Sequence, residues 1–223
     1  MTTLLTAFFL LGFLSCEKDS TSSKDNETVT DIDGNVYNTV TIGDQVWMAE
    51  NLKVTHYCNG DAIPKVIGDS DWENLASGAY CINDNNDSNA VTYGFLYNWY
   101  AVDDSRDIVP EGWHVPTDEE WQTLVDYLGG SGVAGGKLKE TGTTHWNSPN
   151  GGATNESGFS ALPGGYRHHN GRYTNMGYNA RFWSSTEHDN YDAWNRLLNS
   201  YNSGVYRFSN YLHYGFSVRC VRD

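Results

Sequence analysis

The chain of 223 residues is short of cysteine, proline and positive charge, and it has no long apolar run. Only 14 Lys and Arg stand against 28 Asp and Glu, which gives a net charge of −14. A surface this acidic repels phosphate backbones and anionic headgroups, so the sequence argues against nucleic acid and against direct membrane-surface binding. The apolar segment at residues 4–14 is too short to span a bilayer, which takes about 20 residues.

With 4 cysteines and no C-x-x-C motif or Cys/His cluster, the chain lacks the spacing of a structural zinc site. Cys58 and Cys81 are the preferred disulfide pair in an oxidising compartment.

The Asn/Asp-rich segment 83–89 departs from a calcium-binding EF-hand loop, because Asn89 replaces the glycine and Phe95 replaces the bidentate glutamate. It fits a solvated loop of Asx turns, and we expect neither a metal nor a cofactor.

Cys16 closes the apolar segment and opens a run of charged and small polar residues. The segment has the length of a signal-peptide core, and Ser15 supplies a small residue before the cut. Residues 1–16 therefore resemble a bacterial lipoprotein signal, with Cys16 as the acylated first mature residue. Two features depart from the pattern: residues 1–3 carry no Lys or Arg, and Phe13 stands where the lipobox has Leu. The alternative is a plain cleaved signal with an incidental cysteine.

Residues 17–28 contain no apolar residue and indicate a flexible tether. The acidic residues after Cys16 resemble the export signal of surface-exposed lipoproteins in the Bacteroidetes. We expect a lipid-anchored outer-membrane protein, exposed on the cell surface if that signal acts. The lipid would supply the membrane contact. The remaining residues, 29–223, are long enough for one domain with its own core.

Aromatic residues are abundant, with 8 Trp, 15 Tyr and 8 Phe, and so are Gly and Asn. This composition favours short strands and ordered loops around an aromatic core. A hairpin is predicted at 35–42 with 45–51, and later strands around 182–185, 193–196, 204–208 and 216–221. We assign four tryptophans to the core: Trp47, Trp99, Trp113 and Trp121.

Helix signals occur at three places. Thr117 and Glu120 form a capping box ahead of an apolar face that ends at Gly129, which predicts a helix. Ser70 and Glu73 fit a capping box for a short helix. The apolar segment 93–100 has helical spacing but is equally compatible with a strand.

Seven motifs, in order along the chain, resemble the Fibrobacter succinogenes major paralogous domain over residues 29–223. They are Asp31–Tyr37, Trp47–Leu52, Gly112–Thr117, Gly135–Glu140, Ala161–Arg167, Trp183–Glu187 and Gly215–Cys220. The resemblance implies an α+β, C-type-lectin-like domain with short twisted antiparallel strands, one or two helices and long ordered loops. The family is abundant in secreted and surface proteins, and the resemblance implies no particular activity.

One departure from the family concerns cysteine. Members often carry a cysteine just before the segment that corresponds to Pro110–His114, where it would pair with the cysteine at position 220. Here that position is Val109. The resemblance therefore implies that Cys220 is unpaired, or joined to Cys58 or Cys81.

Sugar-binding sites combine aromatic faces with a few convergent polar groups. The ligand-binding candidates lie in the region that forms the loop-rich ligand face of lectin-like folds: Trp146, Tyr166, Arg167, Trp183, Glu187, Trp194, Asn195 and Arg196. The alternative for Trp183 and Trp194 is a place in the core, on strands.

Catalytic signals are scarce. The sulfatase-modifying enzymes of the lectin-like fold use a cysteine pair near the C-terminal end, and this chain has Cys220 alone there. His168 and His169 are adjacent, so in a strand they would point to opposite faces. We expect a non-catalytic binding domain for a polysaccharide or glycoconjugate. The alternatives are a structural or adhesive protein that binds other surface proteins, and then a hydrolase, which would need two carboxylates at suitable spacing.

Overall fold

The computed structural model describes residues 27–223, and Cys16, the signal segment and residues 17–26 of the tether lie outside them. Within this range the chain combines short helices with antiparallel sheets, so the predicted α+β class is confirmed. The first strand begins at Thr28, inside the range predicted for the tether. Among the described residues, no helix has both the length and the apolar character needed to cross a bilayer.

The strands are β1 (Thr28–Thr30), β2 (Val36–Ile42), β3 (Gln45–Met48), β4 (Tyr80–Cys81), β5 (Leu96–Tyr97), β6 (Trp113–His114), β7 (Tyr166–Arg167), β8 (Tyr173–Thr174), β9 (Asn179–Glu187), β10 (Asp192–Asn199), β11 (Val205–Tyr211) and β12 (Val221–Arg222). The helices are α1 (Asp69–Glu73), α2 (Asp87–Tyr93), α3 (Trp99–Val102), α4 (Asp118–Tyr127) and α5 (Ala134–Leu138), with a 3₁₀ turn at Asn83–Asn85.

A five-stranded antiparallel sheet has the order β1-β2-β3-β12-β6. The predicted hairpin lies in its centre, where β2 pairs with β3 from Thr39 opposite Met48 to Ile42 opposite Gln45. The turn between them is Gly43-Asp44, as the sequence indicates. Strand β12, near the C-terminal end, joins β3 to β6 through Val221. The sheet therefore brings the two ends of the domain together.

A second, three-stranded antiparallel sheet has the order β11-β10-β9. These strands confirm three of the four predicted in the C-terminal half. The fourth, predicted over 216–221, is regular only at Val221–Arg222, although Phe216 and Ser217 form isolated bridges to other segments. A bulge between Ala193 and Asn195 interrupts the pairing of β10 with β9. Strand β9 ends at Glu187 and β10 begins at Asp192, so residues 188–191 form a tight turn.

Helix α4 begins as the sequence predicts. The Thr117 hydroxyl accepts from the Glu120 amide at 3.1 Å, and the Glu120 carboxylate accepts from the Thr117 amide at 2.8 Å. Helix α1 also exists, but its N-cap is Gly68 and no side chain caps it, so the capping box predicted at Ser70 is wrong. Residues 93–100 are neither one helix nor one strand: α2 ends at Tyr93, β5 follows, and α3 begins at Trp99.

Two large hydrophobic clusters and a small one form the core. The first contains Trp99, Trp113, Trp183 and Phe216, and the second contains Trp47 and Trp121 from the hairpin and α4. In the second cluster, the rings of Trp47 and Trp121 lie 4.8 Å apart between centroids. All four tryptophans assigned to the core are buried. The third cluster surrounds Trp72.

The disulfide predicted between Cys58 and Cys81 is not present, and the three cysteines of residues 27–223 are free thiols. The two residues belong to different environments. Cys81 is buried in the Trp72 cluster, whereas Cys58 is exposed and its thiol donates to the Val109 carbonyl oxygen at 2.9 Å. Cys220 is buried in the first cluster and unpaired, as the valine at position 109 implies.

Candidate functional site

The structure disperses the eight residues proposed as ligand contacts. Trp146 and Trp183 are wholly buried core residues. The Trp146 indole donates to the Ala161 carbonyl oxygen at 2.9 Å, and the Trp183 indole donates to the Tyr97 carbonyl oxygen at 2.9 Å. Because their faces pack against other side chains, neither ring is accessible to a ligand. The core alternative weighed for Trp183 is therefore the one the structure supports.

Three of the proposed polar contacts are also buried and already partnered. The Arg167 guanidinium donates to backbone carbonyl oxygens, among them Val66 at 2.6 Å and Gly171 at 2.7 Å. Asn195 donates to the Phe208 carbonyl oxygen at 2.9 Å. Arg196 pairs with the Asp118 carboxylate at 2.5 Å. These groups stabilise the fold, since none has a free face toward solvent.

The other three proposed residues are accessible, but they do not converge. Tyr166 is half-buried over the Arg181 guanidinium, 4.9 Å from its ring centroid. Glu187 is exposed at the end of β9. Trp194 is half-buried between Arg207 and His188, with the His188 ring 4.5 Å away between centroids. Of these, Trp194 and Glu187 lie beside the turn at 188–191.

That turn borders a cavity of about 490 Å³, which is in the usual range for small-ligand sites. We call this cavity the tyrosine pocket. Its lining residues come from α3, from the β9–β10 turn and from the end of β11: Tyr100, Asp189, Asn190, Tyr191, Asp192, Tyr211 and His213.

The turn is held by its own hydrogen bonds. One Asp189 carboxylate oxygen accepts from the backbone amides of Tyr191 at 2.9 Å and Asp192 at 3.0 Å. The His188 amide donates to the Asp192 carbonyl oxygen at 2.8 Å. Asp and Asn stabilise turns in this way, which leaves their neighbours free to face solvent. Tyr191 consequently projects from the turn with 74% of its surface exposed.

Tyrosine side chains form the walls of the pocket. Tyr211 is 52% exposed at the end of the edge strand β11, and Asp192 is its direct partner on β10. The Leu212 amide donates to the Tyr191 carbonyl oxygen at 3.0 Å, which fixes the turn against the end of β11. Tyr100 meets the His213 ring edge to face, with 5.3 Å between centroids. The pocket thus has two accessible aromatic faces and a third, partly covered one.

The two carboxylates of the pocket differ in environment. Hydrogen bonds from the Tyr191 and Asp192 amides lower the pKa of Asp189. Burial, followed by the charge of Asp189, raises the pKa of Asp192. One Asp192 oxygen, Oδ1, is shielded and has no hydrogen-bond partner. The pocket therefore contains one carboxylate that backbone amides stabilise and one whose charged form is disfavoured by burial and by the neighbouring carboxylate.

Three side chains at this turn could together bind a metal ion, and they form the one such cluster found in the described part of the chain. His188, Asp189 and Asp192 each offer a donor atom, and these atoms lie within 4.8 Å of one another. His188 and Asp189 are exposed, and the His188 imidazole lies 3.2 Å from the Asp189 carboxylate. The segment 83–89, the calcium alternative weighed from sequence, instead forms the 3₁₀ turn and the start of α2.

Two further clefts have less suitable linings. A cleft of about 590 Å³ is lined by several acidic residues, among them Asp31, which already accepts from Tyr37 at 2.6 Å, and its one aromatic residue, Trp113, is buried. Another, of about 420 Å³, contains Glu50 and the buried Arg219, and no aromatic side chain lines it. The tyrosine pocket is the one of the three that combines several accessible aromatic rings with polar groups.

Sequence reasoning missed the residues of this pocket. Tyr100 was assigned to an apolar segment, and Tyr191, Tyr211 and His213 were not singled out. A local signal existed in His188–Asp192, where one large aromatic residue stands among short polar residues between two strands. The structure places this tyrosine, Tyr191, at the surface with 74% of its area exposed.

Residues 40–222 match the model of the Fibrobacter succinogenes major domain. No curated protein and no solved structure matches the chain.

Proposed function

The chain belongs to the Fibrobacter succinogenes major domain family, and because that family name states no activity, we propose its function from the site. We propose that it is a non-catalytic binding domain for a polysaccharide or glycoconjugate. The observation that carries the proposal is the tyrosine pocket, in which accessible rings lie beside two carboxylates and an amide. Aromatic faces pack on the apolar faces of pyranose rings, while Asp189, Asn190 and Asp192 accept or donate hydrogen bonds to hydroxyls.

The test is binding of the purified full chain to a panel of plant, host and bacterial glycans. Replacing Tyr191 or Tyr211 with alanine should weaken binding about tenfold or more, because a ring central to a site carries a large part of the binding energy. Tyr127→Ala is the matched control, since Tyr127 is 65% exposed on α4 and does not line the pocket. Binding that survives both pocket substitutions would place the glycan elsewhere, and no binding across the panel would end the proposal.

A second function, adhesion to another protein, is favoured by a different surface. Tyr206 and Phe208 stack on the edge strand β11 with 6.3 Å between centroids, and Tyr178 stacks on Tyr201 at 6.1 Å. Exposed aromatic side chains on an unpaired strand edge suit a protein interface. Phe208→Ala should leave glycan binding unchanged and weaken cell-surface adhesion if this second function operates.

The location and the finer fold assignment remain part of the proposal. We propose that acylated Cys16 anchors the protein in the outer membrane, with a C-type-lectin-like domain held away from the lipid by the tether. The lipoprotein pattern at residues 13–16 supports the anchor. Cys16→Ser should release the protein from the membrane fraction, and mass spectrometry of the N-terminal peptide would identify the lipid. An unmodified Cys16 in membrane-bound protein would refute this part.

A further inference from the structure

Apart from its tyrosines, the ionisable residues that line the tyrosine pocket are two aspartates and one histidine. Asp189 and Asp192 line it, and none of its described lining residues is Lys or Arg. Among residues 27–223, no Lys or Arg forms an ion pair with either carboxylate; the ion-pair partner of Asp189 is His188. The whole chain carries a net charge of −14, which adds to the negative potential in such a cleft.

Asp192 is the less compensated of the two. Its Oδ1 atom is shielded from solvent and has no hydrogen-bond donor. Leaving a shielded carboxylate oxygen without a donor is costly, and a positive charge placed in the adjoining cavity would offset that cost. Asp192 lines the cavity, so a cationic ligand bound there would bring that charge close to its carboxylate.

The walls are suited to the same kind of charge. A cation over the face of a tyrosine ring is attracted by the ring quadrupole, and the attraction grows when the cation is partly desolvated. Tyr191 and Tyr211 present exposed rings on the sides of the pocket that adjoin the two carboxylates. An ammonium group in this position would interact with the faces of the tyrosine rings and with the carboxylates of Asp189 and Asp192 at the same time.

We infer that the tyrosine pocket binds a glycan that carries free amino groups, that is, an amino sugar whose nitrogen is not acetylated. This inference rests on the proposed glycan-binding function and names the substrate class of that site. The sugar ring packs on a tyrosine, and its ammonium group pairs with Asp189 and Asp192. Acetylation removes the positive charge and two of the three N–H donors, so the acetylated sugar loses these contacts.

The experiment compares three tetrasaccharides with the same β-1,4 linkage, each titrated calorimetrically into the purified full chain. They are deacetylated chitotetraose, its fully N-acetylated form and cellotetraose. At about pH 6, where the amines are largely protonated, the deacetylated form should bind about tenfold more tightly than either of the others.

Two double variants distinguish attraction by the pocket carboxylates from attraction by the net negative charge of the chain. Asp189→Asn with Asp192→Asn keeps the side-chain shapes and should abolish the preference for the amine. Asp44→Asn with Asp126→Asn changes the net charge equally at exposed positions outside the pocket and should retain the preference.

The outcomes have distinct meanings. Equal binding of all three tetrasaccharides, lost on Tyr211→Ala, would overturn the inference and leave the proposed glycan-binding function intact. A preference for the amine that persists in the Asp189 and Asp192 variant would also overturn it, because the attraction would then come from the net charge. Failure to bind any glycan would remove both the inference and the function on which it rests.

Discussion

At the scale of single residues, buried cations hold the loops of this protein through backbone carbonyl groups. The Lys139 ammonium donates to the carbonyl oxygens of Gly151, Asn199 and Asn202 at 3.0, 2.9 and 2.8 Å. Arg167 makes the same kind of contact with the loop before α1. Glycine- and asparagine-rich loops have few side chains to pack, so a single buried cation can satisfy several backbone acceptors that would otherwise be unpaired.

Lys139→Met tests this role. The substitution keeps much of the side-chain volume but leaves three shielded carbonyl oxygens without their donor, so the free energy of unfolding should fall by about 3 kcal/mol. Urea denaturation measures it. The matched control is Lys137→Met, which removes a partly exposed ion pair with Glu156 and should cost less than about 1 kcal/mol. Equal losses for the two variants would show that the three carbonyl contacts contribute little.

At the scale of secondary-structure elements, the start of α4 links three parts of the chain. The His114 imidazole lies 2.8 Å from Glu120 and 2.6 Å from Asp223, and Glu120 also completes the capping box with Thr117. Burial alone lowers the pKa of His114, but the two carboxylates outweigh it and raise the pKa overall. Burial raises the pKa of Glu120, but its hydrogen bonds to Thr117 and His114 outweigh this effect and lower it.

These shifts predict a pH dependence of stability. Because the pKa of His114 is raised in the folded state, its contribution is present below the unfolded value of about 6.5 and is lost as the pH rises through the folded pKa. His114→Gln should therefore cost about 0.5 kcal/mol near pH 5.5 and almost nothing near pH 9, a small figure because the groups are partly exposed. Urea denaturation at both pH values measures the difference, and a pH-independent cost would contradict the assignment.

Elements with local signals could be predicted from sequence, and those that depend on distant contacts could not. The capping box of α4 and the β2–β3 hairpin follow from residues a few positions apart, and both are confirmed. The division of residues 93–100 among α2, β5 and α3 could not be predicted from neighbouring residues. Tyr97 is held there by a bridge to Phe216, far along the chain.

The same limit explains the result for the candidate site. Spacing along β9 and β10 cannot say which face of the sheet is covered, so Trp183 and Asn195 were proposed as ligand contacts although both are buried. The pocket itself joins Tyr100 to the turn at 188–191 and to His213. Only the tertiary structure brings these segments together, although the composition of the turn already indicated an exposed tyrosine.

At the scale of the whole molecule, residues 27–223 hold together without a disulfide. Two aromatic clusters bury six of the eight tryptophans, Trp72 forms its own cluster with Cys81, and Trp194 is half-buried outside all three. Burial raises the pKa of the Cys81 thiol to about 11 and raises that of Cys220 as well. Both thiols are therefore protonated and shielded, which makes them unreactive in the folded protein.

Thiol titration checks this organisation. In the native Cys16→Ser variant, a thiol reagent should modify Cys58 and leave Cys81 and Cys220 intact, because Cys58 alone of these three is exposed. In denaturant all three should react. A reducing agent should leave the midpoint of thermal unfolding unchanged, and Cys58→Ser should remove the native reaction. A lower midpoint under reduction would reveal a disulfide that the structure does not contain.

The β9–β10 turn also has a consequence for engineering. Its conformation is fixed by hydrogen bonds within residues 188–192 and by one backbone bond from Leu212 to Tyr191, and Asp189, Asn190 and Tyr191 contribute no side chain to the core. A segment with these properties can be exchanged without repacking the interior, provided that an Asp or Asn at position 189 still closes it. The domain thus separates a fixed scaffold from a short variable tip, which makes residues 190 and 191 the first positions to randomise in a library selected for new ligands.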